Sequence, residues 1–307
     1  MALMSQPGVG PAAAAARAGA DDLDGLDEQA LAEQLDRARD QVQAAQQRGI
    51  DAVSCFDERF PARLKAIPSA PAVLWVRGDL TALDAPLVAV VGTRQPTVFG
   101  ATATRTVTDA VCEAGGGVCS GLALGVDGLA HRAALAHRAP NVIVLAGGIA
   151  DEDIHPGRHR QLALDILDAG GLILSENPPG TETTAHRLVA RNRMQSGLSV
   201  CTAVIQTGLS GGTPHTARFA MAQGRPLFCP RPHARDERSA GNWALLEEPA
   251  TRLPQLMAAF KDHAGLCRRF GERPAAQALT RENVTAWANV TVRPPAQPAS
   301  DEPPTLF

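Results

Sequence analysis

The chain contains no tyrosine, and aromatic residues make up only 4% of its 307 positions. A protein that grips single strands chiefly by stacking bases on rings needs more of them. Lysine is almost missing as well, present only as Lys65 and Lys261. Arginine therefore carries the positive charge, and its planar fork suits bidentate contacts to phosphate. The net charge of −3 rules out a generally basic polymer, so any nucleic-acid site must be a local patch. No apolar run approaches the ~20 residues of a membrane-spanning helix. The start lacks the charged-then-apolar pattern of a secretion signal. Both absences predict a cytoplasmic location and no membrane partner. The six cysteines, Cys55, Cys112, Cys119, Cys201, Cys229 and Cys267, never fall in CxxC spacing. They read as reduced, small apolar residues rather than disulfides or a zinc site, and neither a metal nor a cofactor is expected.

Hydrophobic residues make up 45% of the chain, enough for an ordinary core. The segment that organises it runs from Leu87 to His131. Leu87–Val91 is a short β-branched run closed by Gly92-Thr93-Arg94, the pattern of a strand buried on both faces of a parallel sheet. An alanine- and threonine-rich stretch, 101–114, follows as a crossover helix. Val118–Ser120 is the next strand, and Gly121 to Gly125 forms a second small-residue turn. Further strands are expected at 141–145, 171–174, 200–205 and 226–229, alternating with helices. The predicted class is α/β: an extended Rossmann-like, mostly parallel, doubly wound sheet with a short helical N-terminal region. Turns at the carboxyl ends of neighbouring strands are where such sheets bind ligands. Bare amides at a helix N-terminus suit an anion there.

By segment, residues 1–26 are expected to be disordered or a helix-hairpin remnant around Pro7 to Pro11. Residues 27–80 read as a helical lead-in that packs on the core, and 81–260 as the Rossmann-like core. Residues 261–307 read as a short helical extension with a disordered proline-rich tail, too short for a full winged helix. Asp27–Arg48 is predicted to be a helix with Leu31, Leu35, Val42 and Ala45 on its apolar side.

Several motifs occur in one order: VVGTRxPTxFG, CSGLAxGVDxxAH, VLAGGI, LSENPPG, ARNRMQSGLS, SGGTxxTARxAxxxGRPLF and SAGNxxL. Over roughly residues 50–250 this series resembles the DNA-processing family DprA, also called Smf. Ordered agreement of many motifs is far more specific than one glycine pattern. The resemblance implies a Rossmann-like protein that binds single-stranded DNA, usually as a homodimer, and helps to load the recombinase RecA during natural transformation.

The candidate site residues follow from the two readings together. Gly92, Thr93 and Arg94 form the first turn, with Arg94 matching the arginine of the family's GSR turn. Ser120, Gly121 and Gly125 shape the second. Arg191, Asn192 and Arg193 match the family's RNR, with His186 and Arg187 nearby as a further cationic wall. Ser210, Gly211, Gly212, Thr213 and Thr216 form another phosphate-type loop that opens a helix. Asp127 and His131, four apart, share a helix face. Asp127 suits capping and His131 a bonded buried position rather than a catalytic dyad. Phe60 and Trp75 are expected to be packing residues. Gly241 and Asn242 are expected along the pocket.

Two departures from the family stand out: Leu188 where it often has phenylalanine, and His155 where it has tyrosine. No catalytic residue is assigned. The alternatives are a nucleotide-binding or N-glycosidic phosphoribohydrolase-like protein, and a DprA-like sensor in a defence system. No carboxylate lies between Thr213 and Gln223, which argues against the hydrolase chemistry.

Overall fold

The computed structural model describes residues 28–233, 235, 237–248 and 273–293. The expected leader over 1–26 and the proline-rich tail from 294 on lie outside the described residues.

Among the described residues, nine strands form one sheet in the order β1-β2-β6-β5-β4-β3-β7-β8-β9. The centre consists of β3 (Leu87–Val91), β4 (Gly117–Ser120), β5 (Asn141–Val144), β6 (Leu172–Ser175), β7 (Cys201–Val204) and β8 (Leu227–Pro230). These strands pair in parallel with their neighbours. Each lies within a residue or so of its predicted span. Every residue of β3 to β7 is buried, as continuous apolar runs require in a sheet covered on both faces.

Helices cover both faces. In chain order they are α1 (Glu28–Gln46), α2 (Ala62–Lys65), α3 (Val98–Glu113), α4 (Val126–Ala136), α5 (Arg160–Asp168), α6 (Ala185–Leu198), α7 (Thr213–Ala222), α8 (Ala240–Glu247) and α9 (Val284–Val292). Alternation along β3 sorts its side chains between layers. Val88 and Val90 pack with Val107 and Val111 of α3 and with Ala130 and Ala134 of α4. Leu87 packs with Met194 and Leu198 of α6.

The lead-in is not wholly helical. It contributes β1 (Asp51–Ser54) and β2 (Val73–Gly78), an antiparallel pair joined antiparallel to β6. Phe60 and Trp75 are buried, as packing residues should be. The apolar side of α1 meets the core only near its end: Ala45 is buried, whereas Leu35 is 42% exposed. At the other edge, β9 (Gln277–Leu279) pairs in parallel with β8. From there α9 returns across α3, burying Val284, Ala288 and Val292 in the α3–α4 cluster.

Strand β3 sends the chain to β4 on one side, and β7 later docks on its other side. Connections therefore diverge at the carboxyl ends of β3 and β7, which opens a crevice there.

Candidate phosphate-binding site at the carboxyl edge

The crevice is a cavity of ≈ 400 Å³. Gly92, Thr93 and Arg94 line it from the turn after β3, and Ser210, Gly211, Gly212, Thr213 and Thr216 from the loop into α7. Arg191 and Asn192 of α6 line it too, beside Leu188, Val189 and Gln195. The two turns that a phosphate would need on either side thus converge in one place.

Backbone bonds lace these turns together. Thr93 N–H donates to the Gln206 carbonyl at 2.8 Å, tying the end of β3 to the end of β7. Val126 N–H donates to the Thr93 carbonyl at 3.1 Å, tying the start of α4 to the same turn. Gly125 makes that approach possible. Its φ is +80°, and a Cβ there would sit 2.4 Å from the Thr93 carbonyl oxygen. Gly121 lies out of the lining but against Arg191, whose Nη1 a Cβ would meet at 2.1 Å.

Buried polar side chains outside the cavity hold it in shape. Ser120 is fully buried and donates to the Val90 carbonyl at 2.7 Å, so it braces β4 on β3 rather than facing a ligand. Gln206 accepts from Thr97 N–H at 2.9 Å at the start of α3 and donates to Ser239 Oγ at 3.1 Å. Asn242 accepts from Thr207 N–H at 2.8 Å and donates to the Ile205 carbonyl at 2.8 Å. Gly241 and Asn242 therefore support the loop from behind instead of lining it. Each amide satisfies backbone groups that a sharp strand-end turn would leave bare.

Arg191 is 5% exposed, and its Nη1 donates to the carbonyls of Gly121, at 3.0 Å, and Val144. Burial pushes its pKa down, Asp127 and Cys119 oppose this, and the nearby Arg94 adds to the depression. Asp127 also lines the cavity. Its Oδ2 accepts from Gly121 N–H at 3.1 Å and Ala123 N–H at 3.3 Å, clamping the turn before α4. Burial raises its pKa, while Arg191 and those amides pull it back. His131 points away from this chemistry. Its Nδ1 donates to Asn141 Oδ1 at 2.6 Å, a direction fixed because the Asn141 amide nitrogen donates to the His131 carbonyl. Burial depresses its pKa to about 4. Among the described residues no group of three or more His, Cys, Asp or Glu side chains can hold a metal ion.

Residues 51–263 match the family model described as DNA recombination-mediator protein A. The chain belongs to this family. DNA processing protein DprA of Bacillus subtilis is 34% identical over 208 residues, which are 67% of this chain and 69% of that one. Protein Smf of Escherichia coli is 39% identical over 171 residues, 56% of this chain. The chain spans 45% of the length of that relative. The X-ray structure of DprA from Streptococcus pneumoniae has a TM-score of 0.62 at 29% identity, covering 73% of this chain and 77% of that one. DprA from Helicobacter pylori, described with a unique single-stranded DNA binding mode, has a TM-score of 0.61 at 25% identity. It covers 78% of this chain and 94% of its own.

The run Arg191-Asn192-Arg193 divides between two jobs here. Arg191 and Asn192 reach the cavity, and Asn192 donates to the Gly212 carbonyl at 3.3 Å. Arg193 does not reach it. Its guanidinium makes a two-pronged pair with Glu176, at 2.7 and 2.6 Å, and donates to the Ser69 carbonyl at 2.8 Å. Helix positions two apart point about 200° apart, so Arg191 and Arg193 cannot share one wall. Arg187 donates to the Glu182 carbonyl at 3.0 Å and is likewise outside the lining. Sequence reasoning missed Thr207, Gly208 and Gln195 as lining residues. Thr207 and Gly208 were findable, since they lie three and four residues past the end of β7, in the turn at its carboxyl end.

Proposed function

We propose that this cavity holds the backbone of single-stranded DNA, and that the chain is a non-catalytic DNA-processing mediator. One observation carries the reading: the Gly92–Arg94 turn, buried Arg191 and the Ser210–Thr213 loop converge on one crevice in a chain of the recombination-mediator family. Arg94 is solvent-exposed at the rim and meets a phosphate first. Glycine-rich amides and the Thr213 and Thr216 hydroxyls complete an anion cradle that reads no base edge. Assistance to RecA, homodimer formation and a cytoplasmic setting belong to the same reading. Support for them comes from the family resemblance and, for the last, from the lack of any described helix long and apolar enough to cross a membrane.

The test is Arg94→Ala in a titration with labelled oligo-dT. Affinity is expected to fall about tenfold, since a charge-assisted contact contributes about 1.5–3 kcal/mol. The melting temperature is expected to hold, because the side chain is exposed. Undiminished binding by the variant rejects the site.

A further inference from the structure

Three charged side chains line the cavity: Arg94, Arg191 and Asp127. Arg94 is exposed at the rim. The other two are 5% and 6% exposed, so their charges belong to the wall itself. Among the described residues no other lining side chain is titratable; the rest are apolar, amide, hydroxyl or glycine. With all three ionised the cavity carries one net positive charge.

Asp127 cannot swing clear. Its Oδ2 is held by two backbone amides of the turn before α4. It also makes no direct ion pair with Arg191, whose Nη1 is spent on the Gly121 and Val144 carbonyls. Arg191 Nε is buried without a hydrogen-bond partner. The wall thus holds a buried cation and, beside it, a fixed carboxylate.

Two kinds of phosphate differ in how they meet such a wall. An internal phosphodiester bears one negative charge, whereas a terminal phosphate monoester bears about −1.5 to −2 at neutral pH. One negative charge already cancels the cavity's single net positive charge, so the second charge of a monoester is in excess and faces a carboxylate in a poorly screened setting.

We propose that Asp127 is a specificity residue, making the cavity accept internal phosphodiesters and reject terminal phosphate monoesters. The inference rests on the DNA-backbone reading above and sharpens it. The cavity engages a strand along its length and discriminates against free mononucleotides and phosphorylated ends. The carboxylate works by repulsion, the usual route to discrimination between ligands of one shape.

The test uses labelled oligo-dT with hydroxyl ends and two competitors, thymidine 5′-monophosphate and its methyl phosphodiester. They differ only in a methyl group and a charge. Titration at pH 8 holds the monoester in its dianionic form and favours the ionised form of Asp127. The wild-type protein is expected to be displaced by the diester at about tenfold lower concentration than by the monoester. Asp127→Asn keeps an acceptor for the two amides and is expected to collapse that ratio towards one. Equal competition by both compounds in the wild type, or competition by neither, overturns the inference while oligo-dT binding leaves the DNA reading standing. Failure of oligo-dT itself to bind overturns the function instead. Should Asp127→Asn not fold, the wild-type ratio still decides for or against selection. A folded Asp127→Asn with the wild-type ratio removes Asp127 from the role.

Discussion

Arg193 and Arg94 separate binding from stability at the level of single side chains. Arg193 is buried and shares two hydrogen bonds with Glu176, so removing one partner strands a charge. Such losses cost about 3–5 kcal/mol. Glu176→Gln and Arg193→Ala are each expected to lower the urea midpoint substantially. Oligo-dT affinity per folded molecule should stay within about twofold, because neither residue lines the cavity. A selective loss of affinity by Arg193→Ala, with stability intact, would return it to the site.

His131 predicts a pH dependence of stability. Its folded pKa of about 4 lies below the ordinary 6.5, so the unfolded chain binds the extra proton first as pH falls. Stability from the buried neutral ring is complete above pH 6.5 and is lost progressively down to about pH 4. The full loss is about 3 kcal/mol. Asp127 runs the other way, its raised pKa favouring the fold at low pH. Urea titrations at pH 5 and pH 7 should show a smaller difference for His131→Leu than for the wild type.

Among the elements, the join between the β3 turn and α4 is the most sensitive. Gly125 combines a positive φ with backbone at 2.4 Å from where a Cβ would stand. Gly125→Ala must shift backbone rather than a flexible side chain, at a cost of about 1–3 kcal/mol. Both the denaturation midpoint and oligo-dT affinity are expected to fall, because Thr93 and Arg94 move with the join. Wild-type affinity in this variant would show that the turn is not part of the site.

The elements also show what could be read from residues alone. The central strands were legible as short apolar runs set between turns, most clearly β3, whose LVAVV is closed by Gly92. Strands β1 and β2 were not, since a lead-in containing Pro61, Pro68 and Pro71 gives no clean alternation. Strand β9 has three residues and no pattern of its own, and exists by pairing with β8. Arg191 was legible as a cation, but its two carbonyl partners come from the turn after β4 and from β5, more than 40 residues away in sequence.

For the molecule as a whole, a net charge of −3 means that attraction to DNA is local and short in range. The salt dependence of oligo-dT binding should therefore reflect few phosphate contacts. The slope of log affinity against log salt changes by about 0.7 for each contact on a single strand. Arg94→Ala is expected to flatten it by about that amount. An unchanged slope in the variant would place the contact elsewhere.

Residue order by itself determined the strand–turn–helix alternation, the parallel sheet and the small-residue turns, because backbone propensity and burial on two faces are written in local composition. It also carried the family motifs. Only tertiary packing decided which turns meet, since β3 and β7 are more than 100 residues apart and become neighbours where the connections diverge. Packing likewise set Arg191 beside Asp127 and turned Arg193 towards Glu176. A side chain's charge is fixed by its chemistry, but its partner is fixed by the direction its helix position faces once the sheet has formed.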